Sequence, residues 1–300
     1  MTATSRTPGT GSAVAMMVGS CLSLQFGAAL AVQIFPVAGS WAVTAARLAI
    51  AAALLLLLVR PRVRGWSREQ WKSMAALGFA LAAMNGCFYA AIDRIPLGVA
   101  VSIEFLGPLV LAAVLSRRRA DVGWACLALV GMVLLGVESA VHATSLDPVG
   151  IMFALFAASF WVLYILTNAR VAATVPGTGG LAAAMVIAAV CVLPVGMMQG
   201  LTAFADPETL ALATVVALLS SVVPYTLELA ALRIVPRNVF GVLLALEPIF
   251  ATLAGWLLLH QAAGAIRLTA IGLVIAATVG TVLTAERVAS VPARPEVEAV

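Results

Sequence analysis

Apolar residues run unbroken for stretches of about 20 positions, separated by short polar breaks, along most of the chain. The runs cover residues 13–35, 41–59, 73–93, 96–115 and 122–140, then, after a polar link from His142 to Asp147, 149–168, 181–200, 209–232, 236–258 and 265–284. A helix of that length crosses a hydrocarbon layer about 30 Å thick. Strands of a membrane barrel would instead alternate apolar and polar side chains, and these runs do not. The pattern predicts an all-α polytopic membrane protein with ten transmembrane helices. Residues 1–12 form a polar tail, and residues 285–300, rich in Pro, Glu and Arg, read as a disordered tail.

Composition agrees with the pattern. Hydrophobic residues make up 63% of the chain, mean hydropathy is +1.10, and only 10% of residues are charged, too few to cover a surface in water. The lipid bilayer is therefore an expected partner. Cys21, Cys87, Cys126 and Cys191 all fall inside apolar runs without paired spacing and read as small buried residues. Ala29, Leu30 and Ala31 resemble a signal-peptide cleavage site. The run before them is longer than an ordinary signal core and carries one basic residue upstream, Arg6, so the first span is expected to be retained.

Basic residues set the orientation. With the N-terminus in the cytoplasm, fourteen Lys and Arg lie on the inside, only Arg94 and Arg267 lie outside, and Arg47 is within a span. Both termini are therefore expected in the cytoplasm, and the basic clusters are explained by topology, with no nucleic-acid partner. The same charges bear on an internal repeat. Pro96 and Pro108 recur at Pro236 and Pro248, and Ala90 and Ala91 at Ala230 and Ala231, an offset of 140 residues. The offset maps the fourth span onto the ninth. Each half, residues 13–140 and 148–284, then holds five spans. Five is odd, so the second copy must be inverted. In keeping with this, the link at 60–72 carries five basic residues and its counterpart at 201–208 none. Two inverted five-helix repeats are an architecture of secondary transporters, whose substrate site lies near the midplane.

Ionisable residues deep in the spans are the candidate chemistry. Arg47, Glu104, Glu228 and Glu247 would each cost about 2.5–3.5 kcal/mol in lipid, so they are expected to face the bundle interior or water. A helix proline has no N–H to donate to the carbonyl four residues earlier. Pro108 frees the carbonyl of Glu104, Pro224 that of Ser220, and Pro248 that of Leu244, and such kinks are tolerated only beside protein or a wet cavity. Asn85 and Tyr89 share one helical face, as do Ser221, Tyr225 and Glu228. Gln25, Trp161 and Tyr164 add polar or aromatic groups in the first and sixth spans. Together they point to a central cavity, with Glu104, Glu247, Glu228, Asn85, Tyr89, Tyr225 and Arg47 as candidates to bind substrate or protons. Gln25, Trp161, Tyr164 and Ser221 would complete its lining. Only two histidines occur, both near span ends, with no metal or cofactor motif, so neither an enzyme nor a metal site is expected.

These residues resemble the EamA-type transporters of the drug/metabolite transporter superfamily, and within it the threonine/homoserine exporters of bacterial inner membranes. The resemblance covers about residues 13–284. It rests on Met84-Asn85 with Phe88-Tyr89, PLGVAV (96–101), EFLGP (104–108), SRR (116–118), Pro224-Tyr225 with Leu227-Glu228, Phe240-Gly241 and Glu247-Pro248. It implies a carrier that exports small amino acids, driven by the proton gradient, through a central cavity. Such proteins often have Gly-Glu at the end of the ninth helix, where this chain has His260-Gln261. Competing expectations are export of another metabolite or of hydrophobic drugs, and, in another class, a polytopic sensor or assembly factor. The Gly-rich spans suit close helix packing and leave a homodimer open.

Overall fold

The computed structural model describes residues 10–289 except 62, 96, 117, 142–146, 245, 248–249 and 251–263. Every described element is helical. In lipid only a helix or a closed barrel satisfies every backbone group, and the described part of each apolar run takes the helical solution. The order is α1 (Thr10–Val32), a short α2 (Phe35–Ala38), α3 (Ser40–Val59), α4 (Arg68–Ile92), α5 (Leu97–Glu104), α6 (Leu106–Leu115) and α7 (Arg119–Val141). It continues with α8 (Pro148–Thr174), α9 (Gly179–Gln199), α10 (Pro207–Ala217), α11 (Val223–Ala231), α12 (Arg237–Leu244) and α13 (Ala265–Ala289). Among the described residues seven helical segments are long and apolar enough to cross a membrane, and Val99–Leu115 and Leu268–Thr281 are shorter apolar ones.

Polar residues at the breaks start the helices. Ser67 and Gln70 form a reciprocal cap on α4, with Gln70 N donating to Ser67 Oγ at 3.2 Å and Ser67 N to Gln70 Oε1 at 2.8 Å. Asp147 and Asp206 cap α8 and α10, each with proline at the next position, where a missing N–H costs nothing. Gly39 joins α2 to α3 at φ 80°, and a Cβ there would stand 2.6 Å from Gln199 Oε1, so this turn requires glycine.

Two expected spans are interrupted at their prolines. The fourth breaks at Phe105, the residue after the carbonyl that Pro108 cannot satisfy. The eighth widens into a π turn at Leu218–Val222, just ahead of Pro224. The ninth is described as α12 followed by Leu246, Glu247 and Phe250, so Pro248 and His260-Gln261 lie outside the described residues.

α4 packs on α8 and α9, α3 on α9, α7 on α13, and α6 on α12, while α1 packs on the π turn and α11. Small residues allow this closeness. A Cβ at Gly78 would come within 2.6 Å of Ala184 O, and one at Gly107 would collide with the carbonyl oxygen of Ala158. Large apolar side chains such as Leu57, Leu58, Val114 and Met198 are exposed on the outside, where lipid chains would cover them. The cysteines divide between the two environments. Cys21 is buried as expected and Cys87 half-buried, whereas Cys126 and Cys191 face outward, because lipid accepts a small apolar side chain as readily as a core does.

Candidate functional site

A cavity opens where the interrupted helices meet, with about 650 Å³ not filled by protein atoms. α1 contributes Leu24, Gln25 and Ala28 to its wall, α3 contributes Arg47, and α4 contributes Met84, Asn85, Phe88 and Tyr89. Val101, Glu104 and Phe105 come from the break between α5 and α6, and Trp161 and Tyr164 from α8. Ser220 of the π turn, Tyr225 and Glu228 of α11, and Glu247 complete it. Its wall is mostly apolar with a few convergent polar groups, the make-up of small-molecule sites.

Arg47 is the cation of the cavity and is only 2% exposed. Its Nη1 donates to Ser220 O at 3.3 Å, the carbonyl that Pro224 leaves without a helical partner. Its Nη2 donates to Asn85 Oδ1, and the guanidinium lies 4.7 Å from the centre of the Tyr89 ring, within cation–π range. Asn85 is fixed in turn by Nδ2 donating to Leu81 O at 2.7 Å, and its Oδ1 also accepts from Tyr225 Oη at 3.0 Å. Arg47 Nε and Tyr89 Oη are buried with no hydrogen-bond partner among the described residues. Such donors are costly unless another group meets them, so they are available to a ligand.

The three acids differ in their support. Glu228 accepts from Ser20 Oγ at 2.8 Å and from Tyr164 Oη at 2.6 Å, the short length of a hydroxyl–carboxylate bond. Asn168 Nδ2 donates to Tyr164 Oη at 3.0 Å, which directs the tyrosine proton toward Glu228. Glu247 accepts one longer bond, from Gln25 Nε2 at 3.3 Å. Glu104 has no hydrogen bond among the described residues. Among the described residues the ion pairs are Lys72–Glu69, Arg94–Asp147 and Arg170–Glu69, so none involves these three acids.

Aromatic contacts hold the wall. Phe105 meets Trp161 at 4.7 Å between ring centres, Tyr164 meets Tyr225 at 5.6 Å, and Phe35 meets Tyr89 at 5.1 Å. The cavity thus brings together Glu104, Glu247, Glu228, Asn85, Tyr89, Tyr225, Arg47, Gln25, Trp161 and Tyr164. Ser221 is buried with its hydroxyl unpartnered and does not line the cavity; its neighbour Ser220 does. Ser20 and Asn168 were not legible as site residues. Asn168 is four residues from Tyr164 on one helix face, a signal present in the sequence, whereas Ser20 is an ordinary small residue 208 positions from Glu228. Among the described residues no group of three or more His, Cys, Asp or Glu side chains could hold a metal ion.

The model of the EamA-like transporter family matches residues 148–283. The chain is 35% identical over 274 residues to the threonine/homoserine exporter RhtA of Escherichia coli K12, covering 91% of this chain and 92% of that protein. To RhtA of Salmonella typhimurium LT2 it is 37% identical over 265 residues, covering 88% and 89%. A solved crystal structure that is 21% identical covers 93% of this chain and 99% of its own, with a TM-score of 0.74, and shows the likeness of fold alone.

Proposed function

Because the chain belongs to the EamA-like transporter family, we propose that it exports small amino acids of the threonine and homoserine kind across a bacterial inner membrane. The observation that carries this reading is the cavity's charge set: one guanidinium, three carboxylates, and no ion pair to any of those acids among the described residues. A zwitterion suits it. Arg47, with its unpartnered Nε, takes the substrate carboxylate, and Glu104 or Glu247 takes the ammonium. Asn85, Tyr89, Tyr225 and Glu228 orient it.

The same charge set supports proton coupling. Three ionised acids exceed one guanidinium, and a net-neutral amino acid leaves that surplus unchanged. In so apolar a site the surplus must be met by protons. Substrate and proton then exchange at Glu104 or Glu247 as the two halves rock around the cavity.

The two halves, 13–140 and 148–284, act as inverted five-helix repeats with both termini in the cytoplasm. The packing supports this, because exchanging the halves sends several principal contacts onto others. α4 on α8 becomes α11 on α1, α4 on α9 becomes α10 on α3, α5 on α7 becomes α12 on α13, and α3 on α9 and α7 on α13 map onto themselves. Asn85 and Tyr225, which share a hydrogen bond, are 140 residues apart, the sequence offset itself. Equivalent residues of two related units meet each other only near the symmetry axis.

The experiment is a comparison of intracellular and extracellular metabolites in cells with and without the protein. Threonine or homoserine should fall inside and rise outside when the protein is present. If another metabolite moves and neither amino acid does, the substrate assignment is overturned.

A further inference from the structure

A second cavity lies on the side of the bundle that the basic residues assign to the cytoplasm. It is bounded by Leu115 at the end of α6, Ala169 of α8, Leu232 and Val235 after α11, and Pro236 with Arg237 at the start of α12. Two of its walls lead straight to the central site. Along α11, Leu232 is one helical turn from Glu228, and along α8, Ala169 is about 7–8 Å from Tyr164. The partition between the two cavities is therefore about one turn thick.

That partition is fastened at both edges. On the inner edge Tyr164 of α8 donates to Glu228 of α11 at 2.6 Å, and Asn168 holds Tyr164 in line from one turn further out. Between the edges Ile165 and Leu229 are fully buried. On the outer edge Arg233 closes over the end of α8. Its Nε donates to Ala172 O at 3.2 Å, and its Nη2 to Val175 O at 3.0 Å and Gly177 O at 2.6 Å. Asn168 is fully buried, and its Oδ1 has no hydrogen-bond partner among the described residues.

The opposite side is built differently. Here α8 packs on both α11 and α12. Among the described residues α1, the counterpart of α8, makes no comparable packing on α4 or α5.

We propose that the second cavity is the cytoplasmic entry port for the amino-acid substrate, and that the α8–α11 seam is the gate closing it, with Arg233 as outer latch and Asn168 as the residue positioning the inner one. The unpartnered Oδ1 of Asn168 is then the first buried acceptor that an entering ammonium or hydroxyl meets. This rests on the orientation and transport reading given above.

The test uses full-length protein in inverted membrane vesicles, with the four native cysteines replaced and single cysteines introduced. A membrane-impermeant thiol reagent added to the cytoplasmic face should modify Ala169→Cys readily, and Met84→Cys, in the central cavity, far more slowly. Adding Arg233→Gln or Asn168→Ala to Met84→Cys should raise its rate by about fivefold or more, the change that losing one net hydrogen bond gives. Leu232→Cys serves in place of Ala169→Cys if the latter does not insert. An unchanged rate at Met84→Cys in both latch variants overturns the gate. Modification of Ala169→Cys and Leu232→Cys from the opposite face only overturns the orientation instead.

Discussion

At the scale of single residues, Arg47 organises the cavity. It satisfies a carbonyl that Pro224 has freed, shares Asn85 Oδ1 with Tyr225, and covers the Tyr89 ring. Replacing it removes all of these at once. Arg47→Ala should destabilise the purified protein by about 1–3 kcal/mol, since Ser220 O and Asn85 lose a charged donor in a buried place. Arg47→Lys should recover little of this, because an ammonium cannot span two acceptors and a ring as a planar guanidinium does. Thermal unfolding in detergent checks both, and a lysine variant as stable as the native protein would contradict this account. That Arg47, Glu104, Glu228 and Glu247 face the interior was legible, because charges in apolar runs need a reason. Their partners were not. Glu228 is bound by hydroxyls 208 and 64 residues away, and only the assembled bundle brings Ser20 and Tyr164 to it.

At the scale of elements, the apolar runs mark the helices and the prolines mark the interruptions. Pro108 and Pro224 foretell a break and a π turn, because a missing N–H has local consequences that no tertiary contact is needed to see. The four-residue α2 and the close crossings were hidden, since a glycine in an apolar run does not declare its neighbour. Gly78 faces Ala184 O and Ile187, so Gly78→Ala should cost about 1–3 kcal/mol by overpacking. Gly123, where an added methyl group would meet no atom within 4 Å, is the control, and Gly123→Ala should not lower the unfolding temperature. Equal unfolding temperatures for the two variants would contradict the close crossing of α4 and α9.

The cap of α10 gives a pH dependence outside the spans. Thr209 N–H and hydroxyl donate to Asp206 Oδ2 at 2.8 Å each, and these bonds hold its carboxyl below the usual range. A depressed value means the cap's contribution is present at neutral pH and is lost as pH falls through it. Native protein should therefore exceed Asp206→Ala in stability at pH 7, with the gap closing in strong acid. Unfolding curves of both proteins across pH test this, and a gap that persists in acid would rule out the carboxylate as its source.

At the scale of the whole molecule, the offset of 140 residues links sequence to architecture. It was visible as two prolines and an alanine pair, which any two apolar helices could share by chance. We read it as the trace of two related halves. Residues one offset apart, Asn85 and Tyr225, touch, and α4 on α8 and α4 on α9 have counterparts in α11 on α1 and α10 on α3. The departures from that symmetry are equally informative. Glu104 stands four residues before its proline and Glu247 one, so the acids of the two halves occupy unequal places in one cavity.

The central claim is that this cavity exchanges protons for an amino acid. Uptake of labelled threonine into inverted vesicles with an acidic interior measures it most directly. Native protein should accumulate threonine and lose that uptake when the proton gradient is collapsed, and Glu104→Gln and Glu247→Gln should each lower gradient-driven uptake by about tenfold or more. Uptake unaffected by the gradient, or retained in full by both variants, would contradict the account.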